Sequence, residues 1–178
     1  MQKTKIIIAK KTLKLLEIKE FKNISLSSIL GDYKNVNIKS KNNLLININR
    51  YFDYLLIQNL SSLEESTKKD MLFEILMARL DILNLHRKSI KKIIKYLFSN
   101  PQKFIVLAPS FIESIIQIST LSNINVNGIK GVPKIKVILI LYLLSVYSWH
   151  GDESYSLEKS MKDLDKYLSY INTFINSF

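Results

Sequence analysis

Near its C-terminal end the chain reads Leu157-Glu-Lys-Ser-Met161-Lys-Asp-Leu164-Asp-Lys-Tyr-Leu168-Ser-Tyr-Ile171-Asn-Thr-Phe-Ile175. Its apolar positions advance by 4, 3, 4, 3 and 4 residues, which puts them on one side of an α-helix. The pattern predicts a helix over 156–176 whose seam packs against another helix, in the same chain or in a second copy. Leu157, Met161, Leu164 and Leu168 are the candidate dimer seam.

The segments before it read the same way. Val137 to Trp149 is an apolar run of thirteen residues between Lys136 and Asp152. A membrane span needs about 20 such residues, so the run predicts a helix from Pro133 to Trp149 buried on most sides. Asn123 to Gly128 reads as a loop, and Gln102 to Leu121 as an apolar helix restarted by Asn100-Pro101. From Arg87 to Phe98, Ile90, Ile93, Ile94 and Leu97 line one face while Lys88, Lys91, Lys92 and Lys95 occupy the other. Leu72, Leu76, Leu80 and Leu83 align in a helix introduced by Ser62-Leu-Glu-Glu65, a capping-box pattern. Toward the N-terminus the helices are Lys3–Lys19, a short Leu26–Leu30 capped by Ser25 and ended by Gly31, and one from about Ser40 to Leu60. About eight helices are expected. Four glycines and three prolines leave little material for hairpins, so the fold class is all-α.

Charge adds a direction to this plan. The 178 residues hold 26 Lys and Arg against 15 Asp and Glu, a net +11. Residues 1–50 carry +8, residues 51–100 +2, residues 101–150 +3 and residues 151–178 −2. A basic end of this kind suits an anionic partner, the phosphate of nucleic acid or of a membrane. The competing reading is that Lys is simply the generic surface residue of a chain with only three Arg. The Lys88, Lys91, Lys92 and Lys95 stripe is a candidate for contact with a membrane surface or a phosphate backbone. The apolar patch Ile6–Ile8 is too short for a signal-peptide core, which makes the cytoplasm the expected location.

Catalytic chemistry finds little to stand on. There is no cysteine, and His86 and His150 have no second ligand at helical spacing, so no metal or other cofactor and no enzyme activity is expected. Glu64 and Glu65 read as helix-start charges, and Asp163 and Asp165 as solvated. Phe104, Leu107, Phe111, Ile115, Tyr142 and Trp149 are candidates to line a pocket for an apolar small molecule or lipid. Aromatic residues at helical spacing also suit a core. Glu113, an acid in an apolar run, faces water or orients a ligand headgroup.

Lys5-Ile-Ile-Ile-Ala-Lys-Lys-Thr-Leu-Lys-Leu-Leu16, Ile24-Ser-Leu-Ser-Ser-Ile-Leu30 and Ile38-Lys-Ser-Lys41 occur in the order of the first, second and domain-leaving helices of the TetR family, which the chain resembles. Met71 to Asp81, Leu85-His-Arg87, Trp149 to Ser154 and Met161 to Lys166 are similar to an α-proteobacterial branch of TetR-like proteins. The resemblance implies a reduced helix-turn-helix module over 1–48 and a helical ligand-binding and dimerisation domain over 49–178. It implies a homodimeric regulator that holds DNA phosphates through Lys34, Lys39, Ser40 and Lys41. A lipid-binding protein of ubiquinone biosynthesis shares that fold, which gives the alternative of a lipid- or isoprenoid-binding accessory protein. Only nine residues, Gly31 to Lys39, separate Leu30 from Ser40, which is shorter than the family's turn and recognition helix. Asn35, Val36 and Asn37 are poor helix formers. Lys34, Lys39 and Lys41 would then position phosphates without reading bases.

Overall fold

A computed structural model describes residues 1–31, 33, 36–60 and 66–176, with side chains through Ile171. Among the described residues the chain forms eight α-helices and one 3₁₀ turn, with no strand. They are α1 (Lys3–Ile18), the 3₁₀ turn (Phe21–Asn23), α2 (Leu26–Leu30), α3 (Lys41–Asn59), α4 (Lys68–Leu85), α5 (Arg87–Phe98), α6 (Gln102–Leu121), α7 (Gly128–Gly151) and α8 (Glu158–Asn176). The all-α class is therefore as expected.

Capping chemistry sets several of the ends. The Ser25 hydroxyl accepts from the Ser28 amide at 3.2 Å, and Gly31 closes α2 at φ +48°, a backbone region that glycine enters without strain. At the start of α3, Ser40 accepts from the Asn43 amide at 3.2 Å and donates to Asn43 Oδ1 at 2.8 Å. The Ser62–Glu65 box lies outside the described residues. The cap seen at α4 is Thr67, whose hydroxyl accepts from the Asp70 amide at 3.2 Å and donates to Asp70 Oδ2 at 2.6 Å.

Two compact units emerge, and neither is continuous in sequence. The first comprises Met1–Leu55 and Ile82–Phe111, the second Leu56–Asp81 and Ile112–Phe178. Residues 1–48 all fall in the first unit, while 49–178 are shared between both.

In the first unit α1 buries Ile8, Ala9, Thr12, Leu13 and Leu16, and α5 buries Ser89, Ile90, Ile93 and Leu97. The unit's core also takes Phe21, Ile29, Leu44, Ile48 and Phe52. Asn47 donates to the Lys5 carbonyl at 2.9 Å, and Asn49 to the Ser110 carbonyl at 3.0 Å, so polar groups inside this unit are also joined.

In the second unit α7 and α8 pack together. Leu72, Ile75, Leu76 and Leu80 from α4, Ile115 and Ile118 from α6, and Ile138, Leu141 and Trp149 from α7 are buried there. Leu157 holds a left-handed backbone, φ +55°, while its side chain is 1 % exposed. A strained residue of this kind costs on the order of 1–3 kcal/mol, which burial of a leucine side chain offsets by about 1.5–3 kcal/mol.

Helix α7 departs from its reading in two ways. It begins at Gly128, so Pro133 lies beyond its first turn and removes one amide from the ladder. It is also not buried on most sides. Ile140, Leu143, Leu144 and Tyr147 are exposed, by 77 % at Tyr147, while Ile138, Leu141, Tyr142, Ser145 and Trp149 are buried. The run is apolar on both faces, but only one of them meets the rest of its unit.

Candidate nucleic-acid interface

The division into units sharpens the charge pattern. Met1–Leu55 with Ile82–Phe111 hold 17 cationic against 4 anionic residues, +13; Leu56–Asp81 with Ile112–Phe178 hold 9 against 11, −2. Folding thus places the basic N-terminal segment and the lysine stripe of α5 in one body. The contacts that join them are specific. Ser89 Oγ donates to the Leu13 carbonyl at 2.7 Å in a buried position. Lys92 Nζ donates to the carbonyls of Glu17 at 3.2 Å and Lys19 at 3.4 Å, where α1 ends. The Tyr96 ring meets Phe21 edge-on at 4.8 Å.

Three lysines of this unit have structural partners at helix or turn ends. Lys92 serves the end of α1; Lys11 Nζ donates to the Ile29 carbonyl at 3.0 Å; Lys41 Nζ donates to the Lys22 carbonyl at 2.6 Å. Each places a positive charge against carbonyls that have no partner inside their own helix or turn. Lys10, Lys14, Lys88 and Lys95 are exposed, and Lys91 is half-buried.

His86, where α4 gives way to α5, stacks on Phe52 with centroids 5.7 Å apart and lies 6.5 Å from Tyr51. Burial lowers its pKa below the ordinary 6.5; the Glu17 charge pulls it back up and the Lys10 charge pushes it further down. The imidazole thereby senses both α1 residues.

The segment that the family resemblance assigned to DNA gives less. Lys34 lies outside the described residues. Residues 31, 33 and 36–40 form no helix. Lys39 is exposed, with its amide donating to Asn43 Oδ1 at 3.3 Å; the Ser40 hydroxyl caps α3; Lys41 is tied to Lys22.

The predicted pocket residues are divided between the two units. Phe104, Leu107 and Phe111 belong to the first unit, where Leu107 is buried and Phe104 is exposed against Phe98 at 6.2 Å. Ile115, Tyr142 and Trp149 belong to the second unit and are all buried there. Four of the six are core residues. Of the seam, Leu157, Leu164 and Leu168 are at most 1 % exposed within the single chain, whereas Met161 is 45 % exposed. Those three leucines are covered by their own chain, so the seam is an intramolecular one.

Asp163, expected in solvent, is half-buried and accepts from Ser148 Oγ at 2.5 Å, whereas Asp165 is exposed with Lys69 Nζ at 3.5 Å. Glu113 is exposed.

One buried charge, which in the sequence only bounds the apolar run before it, is held by four hydrogen bonds. Asp152, 2 % exposed, accepts through Oδ1 from the Ser154 amide at 3.0 Å and hydroxyl at 2.6 Å. Its Oδ2 accepts from the Ser160 amide at 2.7 Å and hydroxyl at 2.8 Å. Burial alone would raise its pKa, but the bonds from Ser154 and Ser160 outweigh it and bring the carboxyl down from 3.8 to about 2. The Asp-x-Ser spacing was the readable signal, since Asp accepts readily from an amide two residues on. The group clamps the link between α7 and α8. Among the described residues no three His, Asp or Glu side chains gather as a metal-binding group.

Against family models, curated proteins and solved structures, the chain finds no match.

Proposed function

We propose that this chain is a non-enzymatic, TetR-like helical regulator that engages DNA mainly through the phosphate backbone, using its first compact unit. The observation that carries the reading is the split of charge between the units, +13 against −2. A surplus uniformly distributed by a Lys-rich composition would not leave one unit slightly acidic. Phosphate contacts supply affinity and position but no sequence information. The absence of helix among the described residues between α2 and α3 supports weak base readout.

The test is binding of the full chain to its own upstream duplex and to a scrambled duplex at about 50 and 200 mM salt, where 6–10 phosphate contacts cost about 10³–10⁵ in affinity. Binding of both duplexes at low salt, with a steep fall, is expected. A residual preference for the upstream duplex at the higher salt would measure its base readout. No binding to either duplex at low salt overturns the reading.

A second reading has its own observation. The exposed Ile140, Leu143, Leu144 and Tyr147 of α7 make an apolar face, and α6 is long and apolar enough to cross a membrane by length and composition. These features favour a lipid-binding accessory protein of the ubiquinone-biosynthesis kind, which organic extraction of the purified protein and mass spectrometry for an isoprenoid would reveal. Homodimer formation belongs to the first proposal, supported by the same α7 face; sedimentation at the single-chain mass of 20.7 kDa would contradict it.

A further inference from the structure

The contacts between α1 and α5 fix how the two helices run. Leu13 meets Ser89, Glu17 meets Lys92 and Phe21 meets Tyr96, so the partner's number rises with the residue's own and the offset stays close to 75. The helices therefore run parallel where they overlap, residues 12–18 of α1 beside residues 87–93 of α5, and Phe21 of the 3₁₀ turn continues the same offset.

Each residue turns an α-helix by about 100°. With Leu13 taken as the direction of α5, Ala9, Leu16 and Thr12 follow on one side and are buried, while Glu17, Lys10 and Lys14 follow on the other and are exposed. With Ser89 taken as the direction of α1, Ile93, Leu97 and Ile90 follow on one side and are buried. Lys92, Lys88 and Lys95 follow on the other. In a parallel pair, opposite rotations from the line of contact lead to the same side of the pair. Both lysine flanks consequently open on one surface, and both apolar flanks turn into the core.

From this geometry we infer that the surface shared by α1 and α5, presenting Lys10 and Lys14 beside Lys88 and Lys95, is the site that holds the nucleic-acid phosphate backbone. This rests on the proposed DNA-binding reading and moves its site away from residues 34–41. Lys92 is occupied at the end of α1 and sets the register of the two rows. Glu17 is the anion on the same surface, and its position beside the Lys92 contact limits the cationic track at that end. At 1.5 Å per residue, Lys88 and Lys95 lie about 10 Å apart along the axis and Lys10 and Lys14 about 6 Å, so contact with several phosphates of one duplex is geometrically open. A duplex is favoured over a lipid surface because interfacial helices bind by inserting an apolar face, and that of α5 (Ile90, Ile93 and Leu97) is buried.

The experiment compares the wild-type chain with two fourfold variants of equal charge loss. One is Lys10→Gln, Lys14→Gln, Lys88→Gln and Lys95→Gln; the other is Lys130→Gln, Lys136→Gln, Lys159→Gln and Lys162→Gln in the second unit. All eight positions are exposed, and helical circular dichroism checks that both variants fold. The slope of log affinity against log salt for a random duplex is expected to shrink by about 3–4 in the first variant, at about 0.9 per contact, and to stay near the wild-type value in the second. Equal losses in both variants, or a loss confined to the second, overturn the α1–α5 site while leaving DNA binding intact. A wild-type chain that binds phosphatidylserine vesicles but no duplex overturns the DNA reading itself. The double variant Lys10→Gln and Lys88→Gln, with about half the slope change, guards against a folding defect in the fourfold one.

Discussion

Replacing Asp152 by Asn keeps the size of the side chain and removes its charge. Four donors converge on the carboxylate, two on each oxygen, and the Ser160 amide is buried with it. An amide NH₂ in place of either oxygen faces two of those donors with a donor of its own. The drop from 3.8 to about 2 corresponds to on the order of 2 kcal/mol of stability at 1.36 kcal/mol per pH unit. The folded pKa is the lower one, so this contribution is complete above pH 3.8 and disappears as pH falls through about 2. At pH 3 about half of it remains. Urea unfolding of wild type and Asp152→Asn should differ by about 2–3 kcal/mol at pH 7, a Tm difference of roughly 4–10 °C, and by about half as much at pH 3. Equal stability at pH 7, or a gap unchanged between pH 7 and pH 3, would refute the reasoning.

Other perturbations probe separate links. A Cβ at Gly131 would meet the Val126 carbonyl oxygen at 1.7 Å, so Gly131→Ala should cost about 3 kcal/mol or more in thermal unfolding. Gly128→Ala meets nothing within 4 Å but carries φ +67°, and should cost only about 1–2 kcal/mol. Ser89→Ala removes the buried bond to Leu13 and should destabilise by about 1 kcal/mol in denaturant titration, with duplex affinity following only if the α1–α5 register shifts. The lowered pKa of His86 means that the unfolded chain gains its proton first, so stability falls as pH drops below 6.5; His86→Phe should flatten that part of the pH–stability curve, and an unchanged curve would show that His86 is not its source.

What was legible in the sequence was local. The ends of α5 follow from isoleucines on one face and lysines on the other, and those of α2 from Ser25 and Gly31. The start of α7 was not legible. A proline suits the first turn of a helix, which made Pro133 the natural beginning, but the close approach of Gly131 to the Val126 backbone lets the helix begin at Gly128. Likewise, the N-terminal charge gradient and the α5 stripe each appear in the sequence. Their union depends on Ser89 reaching a carbonyl 76 residues away, and no local periodicity encodes such a contact. The Leu157–Leu168 seam shows the same limit, because regular spacing announces a packed helix without saying which helix packs on it.

The proposed site puts the phosphates on one surface of the basic unit. Lysine acetylation of the full chain, read residue by residue by mass spectrometry with and without a saturating duplex, tests it most directly. Protection of Lys10, Lys14, Lys88 and Lys95 is expected, with Lys130, Lys136, Lys159 and Lys162 reacting as before. Protection centred on the second unit, or spread evenly over all lysines, would contradict it.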